Sequence, residues 1–142
     1  MNGFRCKVYP MVALLTMTAV SGCQTMADVK AGDGRRAAIT GKSYDAVWQA
    51  ASRVANEHFE VQEEDKARGV ILAERTMSAA SYGAYVGIYI TPAQPGADTY
   101  FVEVVRRKKM VTNFGEQDWE YKVLRDIYRQ LGLPALDPQR DP

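Results

Sequence analysis

The sequence predicts an α+β domain in which two helices lie on one face of an antiparallel sheet of four to five strands, and three observations predict it. Apolar residues recur at helical spacing over residues 44–58 and again over 119–131. Between those stretches, four segments alternate with the period of two that marks a half-buried strand. The connections between these strand segments are too short to hold a crossover helix, so neighbours in sequence must run antiparallel.

Taken in order, the elements begin with Ala37 to Thr40, a short edge strand ended by Gly41-Lys42-Ser43. Ser43 is a good N-cap, and Asp45 places a negative charge in the first turn, where it favours the helix dipole. The stripe Val47, Trp48, Ala51, Val54 and Ala55 carries the helix to His58, with Gln49, Arg53 and Glu57 facing water. Phe59 to Glu63 then alternates, Glu64 to Gly69 reads as a turn, and Val70 to Thr76 as the returning strand of a hairpin. Tyr82 to Thr91 sets Ala84, Val86, Ile88 and Ile90 on one face, and Tyr100 to Arg107 does the same with Tyr100, Val102 and Val104. Pro92 to Asp98, with two prolines and a glycine, is the loop between them. Glu116, Asp118 and Glu120 gather at the start of the second helix, whose buried stripe is Trp119, Val123, Leu124, Ile127, Tyr128 and Leu131. Gly132 and Pro134 end it, so the globular domain covers residues 37–133 and residues 134–142 form a flexible C-terminal tail.

The amino end has a different character. Arg5 and Lys7 precede an uncharged run from Val8 to Val20, an n-region followed by an h-region of an export signal. That run is about 13 residues, short of the roughly 20 needed to cross a bilayer as a helix. It ends in Val20-Ser21-Gly22-Cys23, which resembles the lipobox of bacterial lipoproteins: an aliphatic residue, two small ones, and the cysteine that accepts a diacylglyceryl group. An ordinary signal peptide would leave Cys23 as an odd thiol, and a buried core helix would not account for the basic start.

The resemblance implies that residues 1–22 are a signal peptide, that Val20, Ser21 and Gly22 are read by the signal peptidase, and that Cys23 is the lipidation site. Cys6 would then be discarded and Cys23 consumed as a thioether, leaving no thiol for a disulfide, a metal site or a nucleophile. Removing Arg5 and Lys7, with no acid lost, takes the formal charge from +1 to −1, too little excess for general nucleic-acid binding. Two or three acyl chains, including palmitate-type chains, make membrane attachment stable where one is marginal. Gln24 is not the Asp that in many two-membrane bacteria retains a lipoprotein in the inner membrane, so the inner leaflet of the outer membrane, facing the periplasm, is the expected location. Residues 23–36 then read as a lipidated flexible tether, rich in small and polar residues such as Ala31-Gly32-Asp33-Gly34.

A second resemblance lies in Tyr44-Asp45-Ala46-Val47-Trp48, Phe59-Glu60-Val61, Asp65 and Gly69-Val70-Ile71. These residues look like the opening of the helix-grip domains of small envelope lipoproteins, among them the lipoprotein BamC of the outer-membrane β-barrel assembly machinery. The resemblance implies a helix-grip-like fold and says less about role.

Chemistry is sparse in the sequence. His58 is the one histidine, which excludes a His-pair metal site, and it reads as a helix-end residue. Ser78, Ser81 and Thr91 sit in no nucleophile elbow. The glycine-rich run Tyr82 to Tyr89 alternates as a strand with no helix after it, unlike a phosphate loop, and Glu63, Glu64 and Asp65 read as a solvated turn. No catalytic residue, metal or cofactor beyond the lipid on Cys23 is expected. Two features suit recognition: Tyr85 and Tyr89 on one strand face, where helices on both faces or β propensity alone are the plainer reading, and the basic run Arg106-Arg107-Lys108-Lys109 at a strand exit, where a solvated loop and edge guard are the plainer reading. The favoured expectation is a non-catalytic envelope lipoprotein that binds another envelope protein or serves in envelope maintenance or assembly, with no nucleic-acid partner. A binder of lipid or cell-wall fragments is the alternative, and a hydrolase is less favoured.

Overall fold

The computed structural model describes residues 25–76, 83–109 and 118–136. The expected signal peptide, with Val20, Ser21 and Gly22, and the expected lipidation site Cys23 lie outside these residues, as do Ser78, Ser81 and Glu116.

The chain forms β1 (Arg35–Thr40), α1 (Tyr44–His58), β2 (Glu60–Asp65), β3 (Val70–Arg75), β4 (Ala84–Pro92), β5 (Thr99–Lys108) and α2 (Trp119–Gln130). The five strands make one antiparallel sheet in the order β1-β5-β4-β3-β2. It is the predicted α+β architecture: a meander from β2 to β5, with β1 returning to the free side of β5 and both helices on one face.

Local chemistry places the helix ends where the sequence does. The Ser43 hydroxyl accepts from the Ala46 amide at 3.2 Å, capping α1, and the Asp118 carboxylate accepts from the Tyr121 amide at 3.1 Å, capping α2. Gly132 takes a φ of +65° just past α2, the left-handed conformation that closes helices at low steric cost. On the helix face, Ile39, Ile71, Val86, Ile88, Val102 and Val104 meet Val47, Val54, Val123, Leu124 and Ile127 in a single core, each at most 1% exposed.

Several boundaries differ from the sequence reading. β1 starts at Arg35, two residues early, because Arg35 and Arg36 pair with Val104 and Glu103 of β5. Glu64 and Asp65 belong to β2 rather than to a turn; a register shift between Val61 and Glu63 lets the acidic run stay paired with Leu72, Ile71 and Val70. The turn proper is Lys66 to Gly69. Beyond α2, Leu136 is 5% exposed and its carbonyl accepts from the Tyr121 hydroxyl, so the expected loose tail is packed at least that far.

The largest departure is at the amino end. Residues 25–34, expected as part of a flexible tether, are held against the face of the sheet opposite the helices. Their anchor is Val29, 6% exposed, whose Cγ1 would be only 2.6 Å from a Cβ on Gly87. A glycine in the middle of a central strand leaves a slot for close approach, and Val29 fills it.

Gly69 has the same dependence on a missing side chain: its φ is +68° and a Cβ there would meet the Ile90 carbonyl oxygen at 2.2 Å. Gly69→Ala is therefore expected to lower the unfolding free energy by at least ~1–2 kcal/mol, the strain of the left-handed conformation alone. Urea unfolding of the two proteins measures the difference, and an unchanged midpoint would refute this account of the turn.

Candidate functional site

Strand alternation divides the basic run. Lys108 and Arg106 stand opposite Ala84 and Val86 of β4 and share the helix face of β5 with Val104, while Arg107, opposite Tyr85, points to the outer face. These residues are half-buried parts of β5 rather than a solvated loop. β1 stops at Arg35 opposite Val104, so this end of β5 extends past its neighbour, paired with β4 alone.

Three members of the run, Arg106, Arg107 and Lys109, make identified contacts in the structure. The Arg106 amide donates to the Glu120 carboxylate at 3.0 Å, joining β5 to the first turn of α2. Burial raises the Glu120 pKa against the opposing pull of that hydrogen bond. Arg107 forms an ion pair with Asp33 and donates from Nε to the Asp28 carbonyl at 3.3 Å. Lys109 pairs with Glu74, and its ammonium sits 4.9 Å from the centroid of the Tyr85 ring.

The tyrosine strip faces away from the helices, as alternation requires, but it is largely engaged. The Tyr89 hydroxyl donates to the Val29 carbonyl at 2.8 Å, and its burial raises its pKa. Glu103, beside it on β5, accepts from the amides of Gly32 and Gly34 at 2.7 and 3.0 Å. Tyr89, Glu103, Arg107 and the Gly87 slot therefore form a clasp for residues 25–34. The segment's own start is a short 3-10 turn, Met26–Asp28, closed by Asp28 accepting from the Thr25 amide and hydroxyl; those hydrogen bonds lower the Asp28 pKa.

A second constellation lies between the helices, and the sequence reading missed half of it. Asp126 on α2 is 2% exposed and its Oδ2 is 2.9 Å from His58 Nε2, with Arg129 and Arg125 at 3.3 and 3.4 Å from Oδ1. Burial pushes the Asp126 pKa up, but the His58 hydrogen bond and the two arginines outweigh it and hold the carboxyl below its ordinary value. The one available signal was an acid inside the apolar stripe, between Val123-Leu124 and Ile127. A His–Asp pair can orient a general base, yet the other contacts of His58 are the edges of the Phe59 and Trp119 rings, at 6.1 and 5.8 Å between centroids. Its chemistry here is a clamp from the end of α1 to the middle of α2.

At the opposite end of the sheet, Tyr44, Gly69, Ile90, Pro92 and Tyr100 border an open cleft of about 450 Å³. The Tyr44 and Tyr100 rings are 5.6 Å apart on one side of it, and the Tyr44 hydroxyl donates to the Lys66 carbonyl. Its walls suit a small apolar group. Among the described residues, no three His, Cys, Asp or Glu side chains converge to hold a metal ion.

The chain matches no protein-family model, and no curated protein is significantly similar to it.

Two outcomes follow from these contacts. Because the Asp126 pKa is depressed on folding, the pair contributes stability that is full above the ordinary value of 3.8 and is lost as the pH falls through the lower folded value. Asp126→Asn is expected to remove that acid-side loss and to lower stability at neutral pH by ~1.5–3 kcal/mol, as measured by chemical denaturation across pH. For the clasp, Gly87→Ala is expected to expel Val29 and expose residues 25–34 to protease while the sheet stays folded. Uncut chains at parental rates would show that Val29 does not hold the segment.

Proposed function

We propose that this protein is a lipid-anchored, non-catalytic component of a bacterial cell envelope, whose domain works by binding another envelope protein at the periplasmic face of the outer membrane. The observation that carries the reading is positional. The lipobox Val20-Ser21-Gly22-Cys23 ends two residues before Thr25, where the clasped segment starts. Two residues span at most about 7 Å, so a lipid on Cys23 would keep the domain close to the bilayer instead of on a long leash. Among the described residues no helix is long and apolar enough to cross a membrane, and the reading assigns attachment to the acyl chains alone.

A protein partner is favoured over a catalytic role by what surrounds the titratable groups. The His58–Asp126 pair is bound up with Arg125, Arg129 and aromatic edges, an arrangement that joins two helices. A second reading, binding of a lipid or cell-wall fragment, is favoured by the cleft beside Tyr44 and Tyr100. A shift in melting temperature with such fragments would support it, and none with any of them would remove it.

The anchor is the first thing to test. Cys23→Ser is expected to move the protein from the membrane fraction to the soluble fraction, and the mass of the parent's amino-terminal peptide is expected to include a diacylglyceryl group. Equal membrane retention of the two proteins would overturn the lipoprotein reading. Crosslinking in cells is then expected to capture an envelope protein on the parent; a parent that stays acylated and captures none would overturn the partner.

A further inference from the structure

The sheet has two chemically different ends. At one, β3, β4 and β5 finish in register as Arg75, Ala84 and Lys108, so Arg75 and Lys108 flank Ala84 on the helix face. Arg106 lies one pair further in, opposite Val86. Lys122 of α2 reaches the same place: its ammonium is 4.3 Å from the centroid of the Trp119 ring, and the Arg75 guanidinium is 4.2 Å from that centroid. Two cations from different elements therefore meet on one indole, and neither forms an ion pair with a carboxylate among the described residues. Arg107 and Lys109 belong to this end too, on the other face, where Asp33 and Glu74 engage them.

The first described residues lie at the same end, on the outer face. Asp28 accepts from Arg107, which pairs across β4 with Tyr85, one position from the Arg75, Ala84 and Lys108 row. Thr25 is a single 3-10 turn from Asp28, and Cys23 is two residues, or about 7 Å at most, before Thr25. The opposite end carries the Tyr44 and Tyr100 cleft. Tyr100 and Lys108 are eight residues apart on β5, about 26 Å at strand spacing.

We propose that this cationic end of the sheet faces the bilayer and that Arg75 and Lys122, with Trp119 between them, receive the anionic phosphodiester headgroups of the lipids around the anchor. The proposal rests on the lipoprotein reading of Cys23. A short leash fixes which end of the domain can reach the membrane. Near an anionic leaflet, cations within a Debye length are attracted to the surface, and the packed Trp119 ring, 7% exposed, holds the Arg75 and Lys122 heads together at this end. The cleft at the far end is then turned away from the bilayer and left open to the periplasm.

The two tryptophans make the orientation measurable, since Trp119 is at the cationic end and Trp48 lies near Tyr44 toward the other, with ring centroids 6.4 Å apart. The lipidated protein, purified from membranes, is reconstituted into phosphatidylcholine vesicles containing a headgroup spin-labelled phospholipid, with and without phosphatidylglycerol. In Trp48→Phe the remaining indole is Trp119, and in Trp119→Phe it is Trp48. Quenching of Trp119 is expected to be at least twice that of Trp48 when phosphatidylglycerol is present, and to fall by half or more when Arg75→Gln and Lys122→Gln are combined.

Equal quenching of the two indoles, stronger quenching of Trp48, or indifference to phosphatidylglycerol would overturn the proposal. Should either core substitution unfold the domain, fluorophore-labelled A27C and K66C give the same comparison on surface positions, since Ala27 is exposed in the 3-10 turn beside Asp28 and Lys66 sits in the turn at the far end. A mass spectrum without acyl chains on Cys23 would overturn the lipoprotein reading and this orientation together. An acylated protein with the wrong quenching order would overturn the orientation alone.

Discussion

The central strand β4 is the constraint on which the rest of this domain depends. Its alternation puts Ala84, Val86, Ile88 and Ile90 on one side and Tyr85, Gly87 and Tyr89 on the other, and both sides must be covered. The aliphatic side is covered by two helices, whose Val47, Val54, Val123, Leu124 and Ile127 complete a single core. Among the described residues, no third helix covers the other side. Residues 25–34 do so instead, because Gly87 leaves room for one valine between two tyrosines. Burying a side chain of that size is worth roughly 1.5–3 kcal/mol, which helps to offset the ordering of a glycine-rich segment. The hydrogen bonds of Glu103 and Tyr89 then fix its path.

The helices are related to each other by a polar contact as well as by packing. Asp126 is a buried carboxylate, and leaving such a charge unpaired would cost several kcal/mol. His58, Arg125 and Arg129 meet it from both helices and leave one mutual placement of α1 and α2 in which it is satisfied. Trp119 adds a second joint at the same end, edge-on to His58 and Phe59. The region that joins the helices is thus also the region where Arg75 and Lys122 meet.

That coincidence gives the functional proposals their shape. A lipid held two residues from a clasped segment would transmit position as well as attachment, because little slack separates the acyl chains from the sheet. The domain would have a membrane side, built from cations and an indole, and a free side carrying the aromatic cleft. Recognition of a partner would fall to the free side, and the mass and orientation of the anchored protein are the quantities on which this picture turns.

Much of the fold was legible because it rests on short-range rules. The stripe from Val47 to Ala55 and the Ser43 cap set α1 to the residue, and the alternation of β4 and β5 assigned their inner faces correctly. Both signals depend on periods of 3.6 and 2 that any window of sequence displays. The lipobox-like tetrapeptide Val20-Ser21-Gly22-Cys23 is likewise a local pattern, and it alone motivates the proposed anchor. The extra length of β1 and β2 was not legible, since Arg35-Arg36 and Glu64-Asp65 read as polar loop until a neighbouring strand supplies their hydrogen bonds.

What only the tertiary structure decided is which distant residues complete one another. Gly87 and Val29, Asp126 and His58, and Arg75 with Lys122 at Trp119 are separated by between 44 and 68 positions or lie on elements that meet only in the folded sheet. The tether became a clasped segment because a slot for it exists 58 residues further on, and the basic run became two opposed pairs because strand pleating sends alternate side chains to opposite faces. Composition and period describe a residue's own neighbourhood; these outcomes required the position of another chain segment in space.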